Sequence, residues 1–509
     1  MNENTVFDYV IVGAGAAGCV IANRLSAKPD VRVLLLEAGI PDDPPEFLDA
    51  RAIVKTWNPA YDWGYVSEPV PALNGRKINL MRGKVLGGST SVHAMLHVRG
   101  NRRDFDAWNH LGNEGWGYED VLPYFIKSEN FDGGASHYHG AGGPLSVCRN
   151  PAPTIAAKAF LDGAVELGFK GPDWDYNGEI QERSAARYQL VITKDLKRAS
   201  ASQAFLHPVL NRPNLTVLTG AETTRILFDG KTAIGVEYVR AGKTEQATAR
   251  CEVIVSAGAY HSPKLLMLSG LGDAEHLKAM GIDAIENLPG VGQNLVDHVL
   301  LPLLYRSKQD LPEPDFIAEA GLFAHSRAGM TSASPDLQVN FNAGVHAIAP
   351  PGIGQFFMFV IVLIQPQSRG SITLRSANPA DAPLIQPNYL DCETDIEVLR
   401  QGIELSRSLA RTKALSGFSD GELNLGLEKS EAEIRDFILN NGSTIWHPVG
   451  TCKMGRDAMA VVDPQLRVHG IQNLRVADAS IMPTITAGNT AAACMMIGEK
   501  AADMILAGA

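Results

Sequence analysis

The sequence predicts an α/β fold that includes a Rossmann-like domain, and three observations lead to this prediction. The chain opens with a strand, a glycine-rich turn, an amphipathic helix and a second strand. Alternating apolar segments resume near residue 203, and a strand, a glycine turn and an apolar helix return at the C-terminus. Because elements of the nucleotide-binding type lie at both ends and in the middle of the chain, we predict domains that are discontinuous in sequence.

The N-terminal elements form one predicted βαβ unit. A short apolar run predicts a strand over Tyr9–Val12. Apolar residues at helical spacing predict an amphipathic helix over Ala16–Ser26. A second buried strand is predicted over Val31–Leu36 and ends at Glu37. This order places a glycine-rich turn between the first strand and the helix.

The middle of the chain contains further predicted strands. They cover Asn214–Leu218, Arg225–Phe228, Ile234–Val239 and Cys251–Ser256. The turn Asp229-Gly230 joins the second and third of these strands as a hairpin. After Gly258, a helix is predicted to begin at Pro263.

The rest of the chain has a less regular pattern. Residues 300–435 show more turns and shorter predicted strands. The longest apolar run, Phe356–Ile364, is far too short to span a bilayer and predicts a buried strand. A strand over Leu474–Val476 and an apolar helix over Thr490–Leu506 close the chain.

The composition is that of a globular protein with a sizeable core. Of 509 residues, 45% are hydrophobic and 20% are charged, which excludes a disordered chain, a coiled coil and a collagen-like rod. Lys and Arg number 45 and Asp and Glu number 56, so the net charge is −11. This mild acidic excess gives no reason to expect nucleic acid or an anionic membrane as a partner.

The cysteines and the N-terminus bear on the cellular compartment. The six cysteines are scattered, without a CxxC pair or a histidine cluster at zinc spacing, so we expect free thiols and no metal site. The acidic start runs directly into the first strand and lacks the basic, apolar and small-residue regions of a secretory signal. We therefore expect a cytoplasmic protein without a transmembrane segment.

The glycine-rich turn has the sequence Gly13-x-Gly15-x-x-Gly18. The first glycine allows a tight turn, the second lets the backbone approach a pyrophosphate, and the third permits close packing of helix on strand. Glu37 lies 19 residues after Gly18, at the end of the second strand, where an acid can bind ribose hydroxyls. The pattern predicts a bound dinucleotide but does not distinguish FAD from NAD.

Six further segments carry recognisable patterns. In order along the chain they are Asp62-Trp63, Arg82–Ser91, Gly258–Gly272, Gly292–His298, His447–Gly455 and Asp478–Ser480. Together they resemble the signatures of the glucose–methanol–choline (GMC) oxidoreductases, a family that binds FAD, and the resemblance covers essentially the whole chain. The C-terminal third is similar to bacterial flavin-linked alcohol dehydrogenases and choline dehydrogenase-like proteins. The stretch His93–Met95 is similar to that of pyridoxine 4-oxidases.

The resemblance implies two discontinuous domains. A Rossmann-like FAD-binding domain would comprise residues 1–150, 203–300 and 436–509. A substrate-binding domain would comprise residues 151–202 and 301–435 and would be built on an antiparallel sheet with covering helices.

The resemblance also implies which residues contact FAD. Among them, Gly87 and Gly88 are adjacent glycines, which would let the backbone lie against a flat ring without a Cβ clash. The full expected set is Gly13, Gly15, Ala16, Ala17, Gly18, Glu37, Ala38, Trp63, Arg82, Gly83, Gly87, Gly88, His93, Ala94, Met95, Leu96, Thr223, Ala257, Gly258, His261, Trp446, Asp478, Ala479, Asn489, Thr490 and Ala491.

We expect the FAD to be held without a covalent bond. Some members of the family, such as choline oxidases, attach the flavin through a histidine four residues after the double glycine. Here that position is Val92, which has no nucleophilic atom. His93 is adjacent, and in an extended segment it would point to the opposite side.

The catalytic residues are expected to be His447 and Asn489. An alcohol must lose a proton from oxygen and a hydride from carbon, and the flavin accepts the hydride at N5. Histidine suits the role of base, and the resemblance assigns this role to His447. The resemblance places Asn489 against the substrate oxygen, where an amide can donate to the developing alkoxide. Structural or surface roles are expected for His97, His137 and His139.

These residues predict an FAD-dependent oxidation of an uncharged or weakly charged primary alcohol, aliphatic or aromatic, to the aldehyde. Oxygen or a quinone-like carrier would accept the electrons. The alternatives are an NAD-linked dehydrogenase, a lyase of the photodecarboxylase or hydroxynitrile lyase type, and a non-enzymatic flavin scaffold. Photodecarboxylases have Cys-Arg before Pro-Gln-Ser and lack the histidine, whereas this chain has Ile364-Gln365 and His447. No GxSxG segment surrounds Ser262 or Ser480, which disfavours a serine hydrolase.

Overall fold

The computed structural model describes residues 5–330, 332–344 and 352–508. Within these residues the strands, in chain order, are β1 Val6–Val12, β2 Val33–Leu36, β3 Tyr65–Val66, β4 Asn79–Leu80, β5 Glu129–Phe131, β6 Leu145–Arg149, β7 Ser184–Arg187, β8 Gln189–Leu190, β9 Leu215–Leu218, β10 Ala221–Asp229, β11 Thr232–Arg240, β12 Lys243–Val255, β13 Leu271–Gly272, β14 Glu286–Asn287, β15 Val299–Ser307, β16 Ala320–Ala324, β17 Leu337–Asn342, β18 Phe356–Leu363, β19 Ser371–Thr373, β20 Leu384–Gln386, β21 Ser419–Glu422, β22 Ser443–Thr444 and β23 Leu474–Val476.

The helices are interspersed among these strands. They are α1 Ala16–Leu25, α2 Ile53–Thr56, α3 Arg102–His110, α4 Tyr118–Ser128, α5 Ile155–Glu166, α6 Gly258–Leu268, α7 Ala274–Ala279, α8 Glu393–Ala410, α9 Lys413–Ser416, α10 Glu431–Asn441 and α11 Ala491–Ala507.

The first large sheet has the strand order β10-β11-β12-β1-β2-β9, and β23 pairs with β12. The strands β23, β12, β1, β2 and β9 run parallel, whereas β10, β11 and β12 form an antiparallel meander. Helices α1 and α11 pack against each other beside this sheet. They approach closely because Gly498 lacks a side chain, since a Cβ there would lie 2.8 Å from the Ala17 carbonyl oxygen.

The second large sheet has the order β21-β15-β18-β17-β16-β7, and β22 pairs with β15. Its pairings are antiparallel throughout. Helices α5 and α8 cover it. On α8, Gly402 allows the close approach, since a Cβ there would lie 2.3 Å from Cγ2 of Ile361 on β18. The predicted fold class, a Rossmann-like domain joined to an antiparallel sheet with covering helices, is thereby confirmed.

Several predicted element boundaries are wrong. Helix α6 begins at Gly258 and not at Pro263, so the proline lies inside the helix. A proline has no N–H to donate to the Ala259 carbonyl one turn earlier. The Thr451 hydroxyl donates to that carbonyl instead, at 2.6 Å, and so compensates for the missing backbone bond.

The region 300–435 also differs from its prediction. It contains strands of nine and eight residues, β15 and β18, and the 18-residue helix α8. The predicted strand over Phe356–Ile364 is confirmed as the buried central strand β18, which ends at Leu363. The domain boundaries stay a prediction, although the segment Ser443–Thr444 pairs with β15 of the second sheet.

Two further observations concern the helices and the cysteines of the described residues. None of their helices is long and apolar enough to cross a membrane. All six cysteines are free thiols.

Candidate active site

One cleft of about 570 Å³ is lined by residues from both large sheets. It brings together both predicted catalytic residues and most of the residues predicted to contact FAD. Those on its wall are Gly13, Gly15, Ala16, Ala17, Glu37, Ala38, Trp63, Arg82, Gly83, Gly88, His93, Ala94, Met95, Leu96, Thr223, Ala257, Gly258, His261, Trp446, His447, Asp478, Ala479, Asn489, Thr490 and Ala491.

Two residues predicted to contact FAD, Gly18 and Gly87, are not among the residues that line the cleft. A Cβ on Gly18 would lie 1.9 Å from the Gly13 carbonyl oxygen, so this glycine lets α1 pack on the preceding turn. Gly87 has φ of +88°, and a Cβ there would lie 2.3 Å from the Ser91 hydroxyl. Both glycines shape the backbone around the cleft, and their contact with FAD stays a prediction.

The glycine-rich turn forms a narrow cradle at the N-terminus of α1. Gly13 has φ of +97°, and a Cβ there would lie 2.4 Å from the Ser256 carbonyl oxygen. A Cβ on Gly88 would lie 3.0 Å from Cα of Gly15, whereas a Cβ on Gly15 itself would meet no atom within 4 Å. The backbone N–H groups and the helix terminus here suit a phosphate group.

Glu37 lies buried at the end of β2, next to this cradle. Its carboxylate accepts hydrogen bonds from the N–H groups of Ala14 at 3.0 Å and Gly39 at 2.7 Å. Burial raises its pKa to about 7. These bonds fix the carboxylate and leave further lone pairs that can accept from ribose hydroxyls.

The cleft wall also contributes polar atoms without partners. Thr223 Oγ1 and His93 Nε2 are buried and have no hydrogen-bond partner within the described part of the chain. Buried polar atoms are ordinarily paired, so these unpaired atoms indicate a place where a ligand binds. Together with the glycine cradle and Glu37, they fit a dinucleotide such as FAD.

The segment after the double glycine is a turn and not the extended segment expected. Residues Gly88–Ser91 form a 3₁₀ helix, and Val92 follows with φ of −126° and ψ of −5°. The strand rule that would turn His93 away from Val92 therefore does not apply. His93 instead lines the cleft.

Arg198 and the Met95 N–H determine which nitrogen of His93 carries the proton. The Nδ1 atom of His93 accepts from the Met95 N–H and from Nη1 of Arg198, both at 3.2 Å. Burial, followed by the charge of Arg198, lowers the pKa of His93 to about 3, so the imidazole is neutral. With Nδ1 accepting, the proton lies on Nε2, and neither nitrogen offers a free lone pair.

We predict that FAD is released intact when the enzyme is denatured. A histidine that attacks the flavin needs a free lone pair, and the lone pair on Nδ1 of His93 already accepts from the Met95 N–H and from Arg198. Acid precipitation followed by absorbance of the supernatant measures the release. A yellow supernatant is the expected result, and a yellow pellet would show that His93 or another residue is joined to the cofactor.

The predicted base, His447, makes a hydrogen bond with His298. The two Nδ1 atoms lie 3.0 Å apart, and Nε2 of His298 lies 3.1 Å from the Ile364 carbonyl oxygen. A carbonyl only accepts, so the His298 proton is on Nε2 and its Nδ1 must accept. His447 therefore donates from its own Nδ1, and its Nε2 carries a lone pair.

Both imidazoles are neutral. Burial lowers the pKa of His298 to about 3. Burial also lowers the pKa of His447 well below its usual value, and the neighbouring His298 and Arg82 add to the effect. At physiological pH His447 is therefore in the form that can accept a proton.

Asn489 lies beside this lone pair. Its Nδ2 donates to His447 Nε2 at 3.1 Å, and both residues line the cleft. The preceding Gly488 has φ of +154°, and a Cβ there would lie 2.3 Å from Cγ1 of Val98, so the loop has little freedom to shift. An amide donor and an imidazole acceptor thus converge at one point of the cleft.

Asp297 anchors the backbone of His447. This buried carboxylate accepts the His447 N–H at 2.7 Å and the hydroxyls of Thr444 and Tyr389 at 2.6 Å each. Burial raises the pKa of Asp297, and the three donors act in the opposite direction. The side chain of His447 remains free to bond with His298 and Asn489.

Sequence reasoning missed three residues of this site. His298 and Asp297 lie within the segment Gly292–His298, but nothing in their spacing showed a contact with His447. Arg198 lies outside all the quoted motifs. The adjacent Asp-His pair inside a recognised segment was the one available signal.

The other singled-out histidines lie elsewhere. His97 and His139 are buried beside Glu129, at 3.3 and 2.8 Å respectively, in a network with Arg99. His137 is exposed. These positions agree with the structural or surface roles expected for them.

Comparison with protein families gives one match in two parts. The family model described as GMC oxidoreductase matches residues 7–300 with its N-terminal part and residues 366–498 with its C-terminal part. The oxygen-dependent choline dehydrogenase of Brucella ovis is 40% identical over 530 residues, which cover 98% of this chain and 95% of the relative. The mitochondrial choline dehydrogenase of Homo sapiens is 40% identical over 536 residues, covering 98% and 89% respectively.

Solved structures agree with this match. Pyridoxine 4-oxidase from Mesorbium loti has a TM-score of 0.91 and 34% identity, with 98% of each chain covered. Formate oxidase from Aspergillus oryzae RIB40, in a variant solved to examine FAD modification, has a TM-score of 0.91 and 29% identity, covering 99% of this chain and 98% of that one.

Proposed function

Because this chain belongs to the GMC oxidoreductase family, we propose that it oxidises a primary alcohol to the aldehyde with His447 as the proton acceptor. The enzyme is an FAD-dependent oxidoreductase that acts on alcohol-type substrates. The assignment of His447 as the proton acceptor depends on two hydrogen bonds, one between the Ile364 carbonyl and His298 and one between His298 and His447. These hydrogen bonds direct the lone pair of His447 Nε2 into the cleft, where it accepts from the Asn489 amide. We propose that the substrate hydroxyl takes the place of this bond when it binds.

Four residues of the chain have separate roles in the proposed reaction. The neutral His447 takes the hydroxyl proton at Nε2. General-base catalysis of this kind typically raises the rate by about 10²- to 10⁴-fold. Asn489 donates its amide hydrogen to the substrate oxygen as negative charge develops there. When bound, the flavin supplies the hydride acceptor. Asp297 holds the backbone of His447, and His298 fixes its tautomer.

The cofactor is proposed to bind with its pyrophosphate at the turn formed by Gly13 and Gly15. Glu37 would accept from the ribose, and residues 82–96 would cover the ring. For the electrons, we propose oxygen or a quinone-like carrier as the acceptor. The relatives and structures named above are dehydrogenases and oxidases, so no observation favours a lyase.

An anaerobic substrate screen tests this proposal. The purified flavoprotein is mixed with a panel of primary alcohols, and loss of the flavin absorbance is followed before oxygen is admitted. Bleaching by an alcohol, with formation of the aldehyde, is the expected result. A flavoprotein that no alcohol bleaches would contradict the proposal, and the rate of colour return distinguishes oxygen from a quinone analogue as acceptor.

We predict that His298→Ala slows flavin reduction roughly 10-fold. The variant leaves the buried Nδ1–H of His447 without an acceptor, and an unsatisfied buried donor costs about 1–2 kcal/mol. His298→Gln offers an amide oxygen in the same region and should recover much of the rate. Single-turnover reduction at saturating alcohol is the measurement. If Gln and Ala variants are equally slow while both retain FAD, His298 does not act through its acceptor atom.

A further inference from the structure

One wall of the cleft is a face of the second sheet that extends away from His447. His298, which contacts His447, directly precedes β15. Pro302 on β15, Val360 on β18 and Asn340 on β17 lie opposite one another across the sheet, so their side chains project from the same face. The register pairs Pro302 with Val360 and Val360 with Asn340. This row lies about 13 Å along the strand from His298, at about 3.3 Å per residue.

The charges that line the cleft are distributed unequally. Its acidic residues are Glu37, Glu222 and Asp478, and all belong to the first sheet or to segments that follow its strands. The lining residues contributed by β15, β17, β18 and the segment before β16 are uncharged; they are Leu300, Pro302, Ile317, Ala318, Asn340, Asn342, Met358 and Val360. A cationic substrate would therefore find no counter-charge on this wall within the described residues. A quaternary ammonium would depend on the faces of Trp57 and Trp446.

Asn340 is one of two polar residues on this otherwise apolar face, and Tyr188 fixes the orientation of its amide. The Gln338 amide donates to the Tyr188 hydroxyl at 2.8 Å, and Tyr188 in turn donates to Asn340 Oδ1. Burial raises the pKa of Tyr188, so the hydroxyl keeps the proton that it donates. Gly321 makes room for this contact, since a Cβ there would lie 1.9 Å from the Tyr188 hydroxyl oxygen.

This arrangement leaves Asn340 Nδ2 as an unused donor. The side chain is 5% exposed and lines the cleft, and its Nδ2 has no partner within the described parts of the chain. The neighbouring Asn342 differs, because its Nδ2 donates to the Ile317 carbonyl and its Oδ1 accepts the Gly344 N–H at 2.9 Å. Of the two amides, Asn340 has both of its N–H hydrogens left for a ligand, whereas Asn342 has already used one of its two on Ile317.

We infer that Asn340 is a specificity-determining residue that donates a hydrogen bond to an uncharged acceptor in the body of the substrate. The inference rests on the proposed alcohol oxidation and names its substrate class. That class is an uncharged primary alcohol that carries an ether, carbonyl or second hydroxyl several bonds from the reacting carbon. Alcohols bearing a quaternary ammonium are poor substrates, because the wall offers an amide hydrogen where they need a negative charge.

A pair of isosteric alcohols tests the charge preference. Choline and 3,3-dimethyl-1-butanol have nearly the same shape, and only choline is charged. We expect wild type to be bleached at least 10-fold faster by the neutral alcohol, per unit concentration, under anaerobic conditions. Asn340→Asp keeps the side-chain shape and the acceptor for Tyr188 but adds a charge, and should shift the ratio at least 10-fold toward choline. Asn211→Asp adds the same charge at an exposed position and should leave the ratio unchanged.

A second pair tests the hydrogen bond. Two primary alcohols of equal length are compared, one with a methyl end and one with a ketone or ether near the far end. Asn340→Leu should lower the ratio of kcat/KM for the acceptor-bearing alcohol to kcat/KM for the methyl-ended alcohol about 5- to 10-fold, mainly through KM. FAD content of each variant confirms that the fold is retained.

The outcomes separate the two proposals. If no alcohol bleaches wild type, alcohol oxidation itself fails and the inference about Asn340 fails with it. If alcohols bleach wild type but choline is preferred, or if Asn340→Leu slows both members of the second pair equally, only the assignment of Asn340 is overturned.

Discussion

Replacing His447 with alanine is expected to slow flavin reduction by about 10²- to 10⁴-fold while FAD stays bound. The variant loses the Nε2 lone pair that the His298 and Asn489 contacts hold in the cleft. Without it, the hydroxyl proton has no acceptor in that place when the hydride departs. Anaerobic stopped-flow absorbance at saturating alcohol measures the rate directly and is independent of the later electron acceptor.

The exposed His137 provides a matched control. His137→Ala removes an imidazole without touching the cleft and should reduce its flavin at the wild-type rate. Bleaching of His447→Ala at that same rate would refute the assignment of the base. Partial recovery of the rate on adding imidazole would show that proton acceptance, and not packing, was lost.

The pH dependence of wild type gives a second measurement on His447. A base acts in its unprotonated form, so the rate is constant above its pKa and falls below it. Burial places the pKa of His447 well below the usual value near 6.5. The reduction rate should therefore stay constant as the pH falls through 6.5 and decline only in more acidic solution. A decline centred at 6.5 would show that the imidazole is more hydrated than its burial implies.

The elements around the glycine-rich turn were largely predictable from sequence, because the patterns that indicate them are local. The turn with Gly13 and Gly15, the helix after it and Glu37 all fall within the first 37 residues, where periodicity and spacing are direct guides. The resemblance then gave the family and FAD, and both are confirmed. The start of α6 was mispredicted because Pro263 is tolerated there only through a hydroxyl from Thr451, 188 residues later in the chain.

The contacts that orient the side chains of the site could not be read from sequence, because they join residues that are far apart in the chain. His298 and His447 are 149 residues apart, and Tyr188 and Asn340 are 152 residues apart. Neither pair has a spacing rule, since each contact depends on how the strands of the second sheet are ordered. Arg198 and His93, 105 residues apart, were missed for the same reason. The motifs therefore identified the segments that form the site. The tautomers of His93, His298 and His447 depend on tertiary hydrogen bonds, which the motifs do not contain.

Replacing Asn489 with alanine is expected to raise the barrier to flavin reduction by about 2–4 kcal/mol, close to the effect of removing one oxyanion donor. The Nδ2 atom of Asn489 lies 3.1 Å from His447 Nε2, so a substrate hydroxyl that reaches the base also reaches this donor. The hydrogen bond from Asn489 should strengthen in the transition state, as negative charge develops on the substrate oxygen. In the alanine variant kcat should therefore fall more than KM rises.

Asn489→Asp is the matched variant that decides between donation and packing. The carboxylate keeps the size of the side chain but cannot donate, and its charge favours the protonated form of His447. The pKa of His447 should then rise, so that flavin reduction in this variant falls as the pH is lowered through a range where wild type is still constant. Single-turnover rates across pH 5–9 measure both effects. Unchanged rates in the alanine variant would show that another donor meets the alkoxide, whereas an aspartate variant with the wild-type pH profile would place Asn489 away from the base during turnover.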